Sequence, residues 1–184
     1  MKKIKFRSAA KLFLCGLITA LLTSPAIAAT FSVTDKASLR AAVATSASNS
    51  QDDVIDLGGN TIILTSDPAN NTGGELLLAN DSSFSLEIQN GTIQRDSGAG
   101  LFRLINIPAA GNPGQVIFRD LTLQDGRLGI GATAANTDGG GAVFTQRPLQ
   151  IINSTFVDNA VVGNGNGGAI LSTASLDIVH SQWC

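Results

Sequence analysis

One tripeptide, Gly-Gly-Ala before a β-branched residue, occurs twice in this chain and fixes a repeat. Gly140-Gly141-Ala142-Val143 returns 27 residues later as Gly167-Gly168-Ala169-Ile170. The register then holds without a gap: Leu149 falls on Leu176, Ile151 on Ile178, Ser154 on Ser181 and Phe156 on Trp183. A recurrence of this length points to stacked units, each unable to bury its apolar face alone.

The later half of the unit can be followed backwards as apolar-x-apolar-x-polar-x-Thr-apolar. It reads Leu149, Ile151, Asn153, Thr155, Phe156; before that Val116, Phe118, Asp120, Thr122, Leu123; and before that Leu86, Ile88, Asn90, Thr92, Ile93. The earliest copy reads Ile55, Leu57, Gly59, Thr61, Ile62, and the last Leu176, Ile178, His180, Gln182, Trp183. First positions 55, 86, 116, 149 and 176 give steps of 31, 30, 33 and 27. Alternation with period two marks strands with one buried face. Hairpins need only a few linking residues, so strands this far apart do not form a meander. The linking stretches, such as 109–114 and 163–168, are rich in Gly, Asn and Pro, which break helices and make turns. A βαβ sheet is therefore disfavoured. The pattern predicts an all-β, right-handed parallel β-helix of about five coils, roughly 24 Å tall at about 4.8 Å per coil.

Each coil is expected to hold a second strand after a Gly-containing corner, at 75–78, 101–105, 142–145 and 169–172. Unequal repeat lengths place insertions in turns, the longest at 125–138, where they cost little. Asn90, Asp120, Asn153 and His180 occupy equivalent positions and are expected to stack as a side-chain ladder. Leu39, Ala42 and Val43 lie at helical spacing within 36–46 and suit a short helix capping the open apolar end.

The first 28 residues read as a secretory leader rather than as part of the fold. Lys2, Lys3, Lys5, Arg7 and Lys11 precede an apolar run over 12–22, and Ala26-Ile27-Ala28 supplies a small-x-small cleavage site. Leu14 before Cys15 is not the small residue that a lipid-bearing cysteine would follow. The organisation expected is thus leader 1–28, N-terminal cap 29–50 and β-helix 51–184, the last incomplete at its C-terminus. Seven basic against fourteen acidic residues leave the part after the leader at −7. An acidic surface of this kind repels phosphate backbones, which argues against nucleic acid as a partner. No later segment is apolar enough to span a bilayer as a helix. With Cys15 removed, Cys184 stands alone and no internal disulfide forms.

Two stretches resemble known families. Gly140 to Val143, Phe156-Val157-Asp158-Asn159 and Gly167 to Ile170 resemble the GGA(I/L/V) and FxxN repeats of the polymorphic outer membrane proteins. Ala37-Ser38-Leu39-Arg40-Ala41-Ala42-Val43, with Asp53 to Leu57 and Thr61 to Leu64, is similar to the opening of CSLREA-type exported β-helix proteins. Ala37 stands where that motif has cysteine, and Ala41 where it has glutamate. The first resemblance implies a secreted passenger of adhesin type; the second implies a capping helix on the first coil. Together they cover most of residues 31–184.

Solenoids of this pectate-lyase-like form also host polysaccharide lyases and hydrolases, so catalysis is the rival reading. Asp120, Asp125, Asp158 and Asp177 fall on neighbouring coils, with Asp125 and Asp158 equivalent, and Arg95, Arg119 and Arg147 are the available bases. Single acids beside Asn and Gly are also what solvent-facing turns contain. Gly129 to Ala134 fits a GxGxxA pattern without a helix after it, sequons at Asn90 and Asn153 lie inside expected strands, and one His with one Cys makes no zinc set. The sequence therefore assigns no catalytic, cofactor-binding or metal residue. It reads as a non-enzymatic binding or structural protein, exported through the Sec route to the periplasm, the outer membrane surface or the medium. The ligand is a protein or a polysaccharide, and the chain is monomeric or self-associates through a strand edge. The alternative is a carbohydrate-active enzyme or its inactive remnant.

Overall fold

Apolar residues about thirty positions apart sit directly over one another, and this stacking generates the whole architecture. The computed structural model describes residues 28–65, 74–79, 83–109, 114–129, 139–163 and 165–184. Residues 1–27 of the leader, 130–134 of the GxGxxA stretch and the rest of the long insertion to 138 lie outside them. In chain order the elements are β1 (Ala29–Ser32), α1 (Lys36–Ser46), β2 (Asp53–Asp56), β3 (Thr61–Leu64), β4 (Leu76–Leu77), β5 (Leu86–Arg95), β6 (Ile105–Ile107) and β7 (Val116–Gln124). There follow β8 (Arg127–Gly129), β9 (Val143–Thr145), β10 (Leu149–Ile152), β11 (Thr155–Val157), β12 (Ala160–Val162), β13 (Ile170–Ser172), β14 (Leu176–Val179) and β15 (Gln182–Trp183).

Every pairing between these strands is parallel. The main sheet runs β1-β2-β5-β7-β10-β14 and continues round a bend through β3, β11 and β15; a second sheet runs β4-β6-β9-β13. Leu86, Val116, Leu149 and Leu176 form one unbroken column. The chain is a β-solenoid: from β2 to β14 it makes about four turns, which set five rungs one above another.

Three differences from the sequence reading have physical causes. Ile55 pairs with Ile88, not Leu86, although Thr61 still pairs with Thr92. Two extra residues are therefore absorbed at the first corner, where Gly58 and Gly59 both have positive φ and Leu57 turns fully inward. The second strand of the next coil begins at Ile105, not 101, because Phe102 belongs to another face and its carbonyl takes the Arg127 N–H at 3.0 Å. That face is a small third sheet, β8 with β12, whose residues alternate too weakly to be seen in sequence. A further strand, β1, extends the main sheet beneath β2.

The core is a set of stacked apolar columns. Ile55, Ile88, Phe118 and Ile151 are all 0% exposed, as are Ile105 and Val143 of the second sheet. The column through Phe156 ends on Trp183, whose ring stacks on it at 5.4 Å with planes 6° apart. At the other end α1 covers the apolar interior as expected, burying Leu39, Ala42 and Val43. The helix starts at Asp35, whose carboxylate takes the Ser38 N–H at 2.7 Å while Ser38 Oγ takes the Asp35 N–H at 3.1 Å. Lys36 and Arg40 pin it to the first coil: Lys36 Nζ donates to Thr65 Oγ1 at 2.5 Å, and Arg40 Nη2 to the Gly74 carbonyl at 2.9 Å.

Buried arginines hold the turns from inside. Arg147, 1% exposed, donates to the Gly114 carbonyl at 2.9 Å and to that of Ala79 at 3.4 Å, joining three successive coils. Burial without a facing carboxylate pushes its pKa down, yet a guanidinium keeps its charge in proteins. Arg103 donates to the Gly139 carbonyl at 2.8 Å and lies 5.0 Å from the centre of the Phe144 ring.

Truncating a central column residue tests this packing. Phe118→Ala is expected to lower unfolding stability by about 3–5 kcal/mol through lost burial and a residual cavity. The same change at exposed Ile63 is expected to cost under about 1 kcal/mol. Urea titrations followed by circular dichroism check both.

Candidate functional site

The bend between the two halves of the main sheet is the most regular surface feature, and its polar column is built by backbone geometry. Asn90, Asp120, Asn153 and His180 adopt φ of 59°, 49°, 48° and 50°. Left-handed backbone costs most residues roughly 1–2 kcal/mol, and Asn, Asp and His are the types that accept it best. The residue types in this column thus answer a conformational demand, which sequence spacing shows only indirectly. The ladder expected there forms in part. Asn153 Nδ2 donates to Asp120 Oδ1 one coil below, and Asn90 Nδ2 donates to Asp56 Oδ1 at 3.2 Å. Just inside the bend, Ser154 Oγ accepts the Leu121 N–H and Ser181 Oγ accepts the Ser154 N–H, each at 3.2 Å. Hydroxyls bridge coils where the bent backbone leaves the ladder.

A second left-handed corner follows at Asp125 and Asp158, with φ of 60° and 51°. They are equivalent, as the sequence indicates: the Gln124–Val157 pairing puts them one coil apart. Here the two short motifs meet. Asn159, the last residue of Phe156-Val157-Asp158-Asn159, accepts the Gly126 N–H and donates to the Leu123 carbonyl, both at 2.8 Å. Gly126 in turn lies so close to Gly141 that a Cβ on it would sit 2.3 Å from the Gly141 carbonyl oxygen. A Cβ on Gly141 would fall 2.4 Å from the Ala160 oxygen. Gly140 and Gly167 add the positive φ, 68° and 57°, that turns the chain into β9 and β13. The GGA and FxxN elements are thus two halves of one corner contact.

Of the residues that could make a lyase-like centre, Asp125 and Asp158 stack one coil apart, and most of the others are engaged separately. Asp120 is bonded to Asn153. Asp125 takes Gln94 Nε2 at 2.9 Å through its carboxylate and Arg95 Nε at 2.7 Å through its carbonyl. Asp177 takes Gln150 Nε2 at 2.9 Å, on the last rung. Arg119 is paired with Glu87 at 2.7 Å, and this contact raises the arginine's pKa. Arg95 and Arg147 are buried and donate to backbone carbonyls, the Arg147 Nε being left without a partner among the described residues. His180 stands exposed at its corner. Among the described residues no group of three or more His, Cys, Asp or Glu is placed to hold a metal ion. None of their helices is long and apolar enough to cross a membrane.

Concave surface is found where the coils' turns meet. A hollow of about 270 Å³ lies between α1 and β4, against Val43, Ala44, Leu76 and Leu77. Two others, of about 280 and 180 Å³, adjoin the turn after β5 and share Asp96. Sequence reasoning missed this turn, because its shape depends on Arg95, which stands at an inward strand position that the repeat otherwise gives to apolar residues.

Comparison of the chain with protein-family models, with curated proteins and with solved structures returns no match.

Two measurements check the corners. At Asn153, glycine is expected to be tolerated within a few tenths of a kcal/mol, whereas valine is expected to cost about 1–2 kcal/mol, read as the shift in urea midpoint. Asp56 is held below its ordinary 3.8 first by the Gly58 N–H and further by Asn90 and Gln89. Its ionised form therefore stabilises the fold above pH 3.8, and this contribution is lost as pH falls below that value through its folded pKa. Asp56→Asn is expected to flatten that part of the stability–pH curve.

Proposed function

We propose that this chain is an exported β-solenoid that acts by presenting its outer faces to a surface ligand, a protein or a polysaccharide, and that it catalyses no reaction. The observation that carries this reading is the use made of the polar residues. Asp120, Asp125 and Asp177 are engaged by neighbouring amides, Arg119 by Glu87, and Arg95 and Arg147 by backbone carbonyls. The columns that remain outside form an extended, repetitive surface. Such a surface suits binding spread over many contacts.

Three features support export. The leader has a basic start, an apolar run and a small-x-small site after Pro25. Cleavage after Ala28 would leave the first rung whole, since the Ala29 N–H is already bonded to the Asp52 carbonyl at 3.1 Å. The resemblance of the GGA and FxxN pieces to the polymorphic outer membrane proteins adds a passenger-type role. In this reading the mature chain resides in the periplasm, on the outer membrane surface or in the medium.

Expression of residues 1–184 in a Gram-negative host tests both parts. Mass spectrometry of the exported product is expected to find Ala29 as its first residue; retention in the cytoplasm with the leader intact overturns the export reading. The purified protein is expected to release neither reducing ends nor unsaturated ends from polygalacturonate, alginate or xylan, with or without Ca²⁺. Turnover of any of them, abolished by changing one carboxylate, overturns the non-enzymatic reading in favour of a carbohydrate-active enzyme.

A further inference from the structure

The turn after β5 is shaped by a buried cation, and it leaves one carboxylate oxygen without a hydrogen bond from the described residues at the junction of two hollows. Arg95 is 5% exposed. Its Nη1 donates to the Asp96 carbonyl at 2.8 Å and to the Ala99 carbonyl at 2.9 Å, while Nε reaches the Asp125 carbonyl of the next coil. Gathering these carbonyls inward folds residues 96–100 round the guanidinium and turns the Asp96 side chain outward. One of its oxygens, Oδ1, takes the Gly98 N–H at 2.7 Å. The other accepts no hydrogen bond from the described residues, and the ion pair among them is Arg119 with Glu87 instead.

The two hollows on either side of Asp96 measure about 280 and 180 Å³. Their walls are Thr65, Gly98 and Ala99 on one side and Ile63, Gln94, Arg95 and Ser97 on the other. Thr65 Oγ1 accepts from Lys36, so its own proton is free to be donated. The Gln94 amide gives its N–H to Asp125 and keeps its carbonyl for another donor. Ile63 is 50% exposed and offers an apolar flank. The site thus combines a fixed carboxylate oxygen, a carbonyl, hydroxyls and one aliphatic wall on a preorganised turn.

We infer that this turn binds a neutral saccharide of one or two rings. Sugar hydroxyls supply the donors that Asp96 and Gln94 lack and the acceptors that Ser97 and Thr65 can use. The C–H face of a ring packs on Ile63. Each hollow is smaller than the roughly 300–1,000 Å³ that ligand pockets occupy, which limits the ligand to one ring in each. The charge of the chain after the leader, −7 from seven basic and fourteen acidic residues, together with Asp96 itself, disfavours uronate polymers. Asp96 has the Arg95 guanidinium beside it and no second carboxylate among the residues lining the hollows, which gives too few charged oxygens for firm Ca²⁺ binding. The inference rests on the binding role proposed above and gives it a place and a ligand class.

The test is titration of the mature protein with cellobiose, maltose and β-1,4-mannobiose, followed by saturation-transfer NMR and calorimetry, with digalacturonate and CaCl₂ as competitors. At least one neutral disaccharide is expected to bind with a Kd on the order of 1 mM. Asp96→Asn, which keeps the Oδ1 contact to Gly98, is expected to weaken binding about tenfold. Ile63→Lys is expected to abolish it, and both variants are expected to melt like the parent. The inference is overturned if none of the three sugars saturates, if the variants bind as well as the parent, or if digalacturonate or Ca²⁺ alone occupies the turn more tightly. Each of those results removes the site and leaves the broader binding role standing; that role falls separately, on polymer turnover.

Discussion

Parallel pairing between successive coils, in register, is the constraint on which the rest of this structure depends. A strand here has no hairpin partner next to it in sequence. Its backbone groups are satisfied by residues about thirty positions away, and its apolar face is buried only because the coil above and the coil below present the same face. The Ile55, Ile88, Phe118, Ile151 column shows both at once: each residue is fully buried and each belongs to a paired strand. Shifting one coil by a single residue would turn its whole apolar set outward. The corners exist to prevent that. Left-handed Asn, Asp, His and Gly residues hold the bends, and Asn159 clamps the next corner to the previous coil.

How much of this could be read beforehand varies with the kind of signal. The main-sheet pairing of the last two rungs was legible, because the 27-residue repeat carries Leu149 onto Leu176 and Phe156 onto Trp183 without a gap. The capping helix was legible from Leu39, Ala42 and Val43. Register in the first coil was not, since Ile55 and Leu57 both fit the alternation and nothing in their spacing shows that Gly58 and Gly59 are extra. The third sheet was hidden for another reason: Arg127–Gly129 and Ala160–Val162 are three residues each and half exposed, so they lack a periodic pattern. The stacked Asp125 and Asp158 were placed correctly, but their role was not visible, because positive φ leaves no mark in composition beyond a preference for Asn and Asp.

The buried arginines explain why turns of such unequal length coexist with regular rungs. Arg95 stands over Leu64 in the apolar interior, and it, Arg103 and Arg147 are buried guanidinium groups that donate to carbonyls of the turns around them. Such a residue lets an irregular segment satisfy its backbone from within the coil, where water does not reach. It also gives the turn a fixed shape, so that side chains such as Asp96 can stand out from the surface at a defined angle. Regularity in the strands and individuality in the turns are therefore supported by different residues, and only the former leaves a periodic trace in the sequence.

Arg147 reaches past its nearest neighbour, from its own coil to Gly114 and on to Ala79. A solenoid whose layers touch only the next layer should fray from an open end one layer at a time. A tether spanning three layers changes that order: the uppermost rungs can peel away singly, while the middle of the stack has to come apart together.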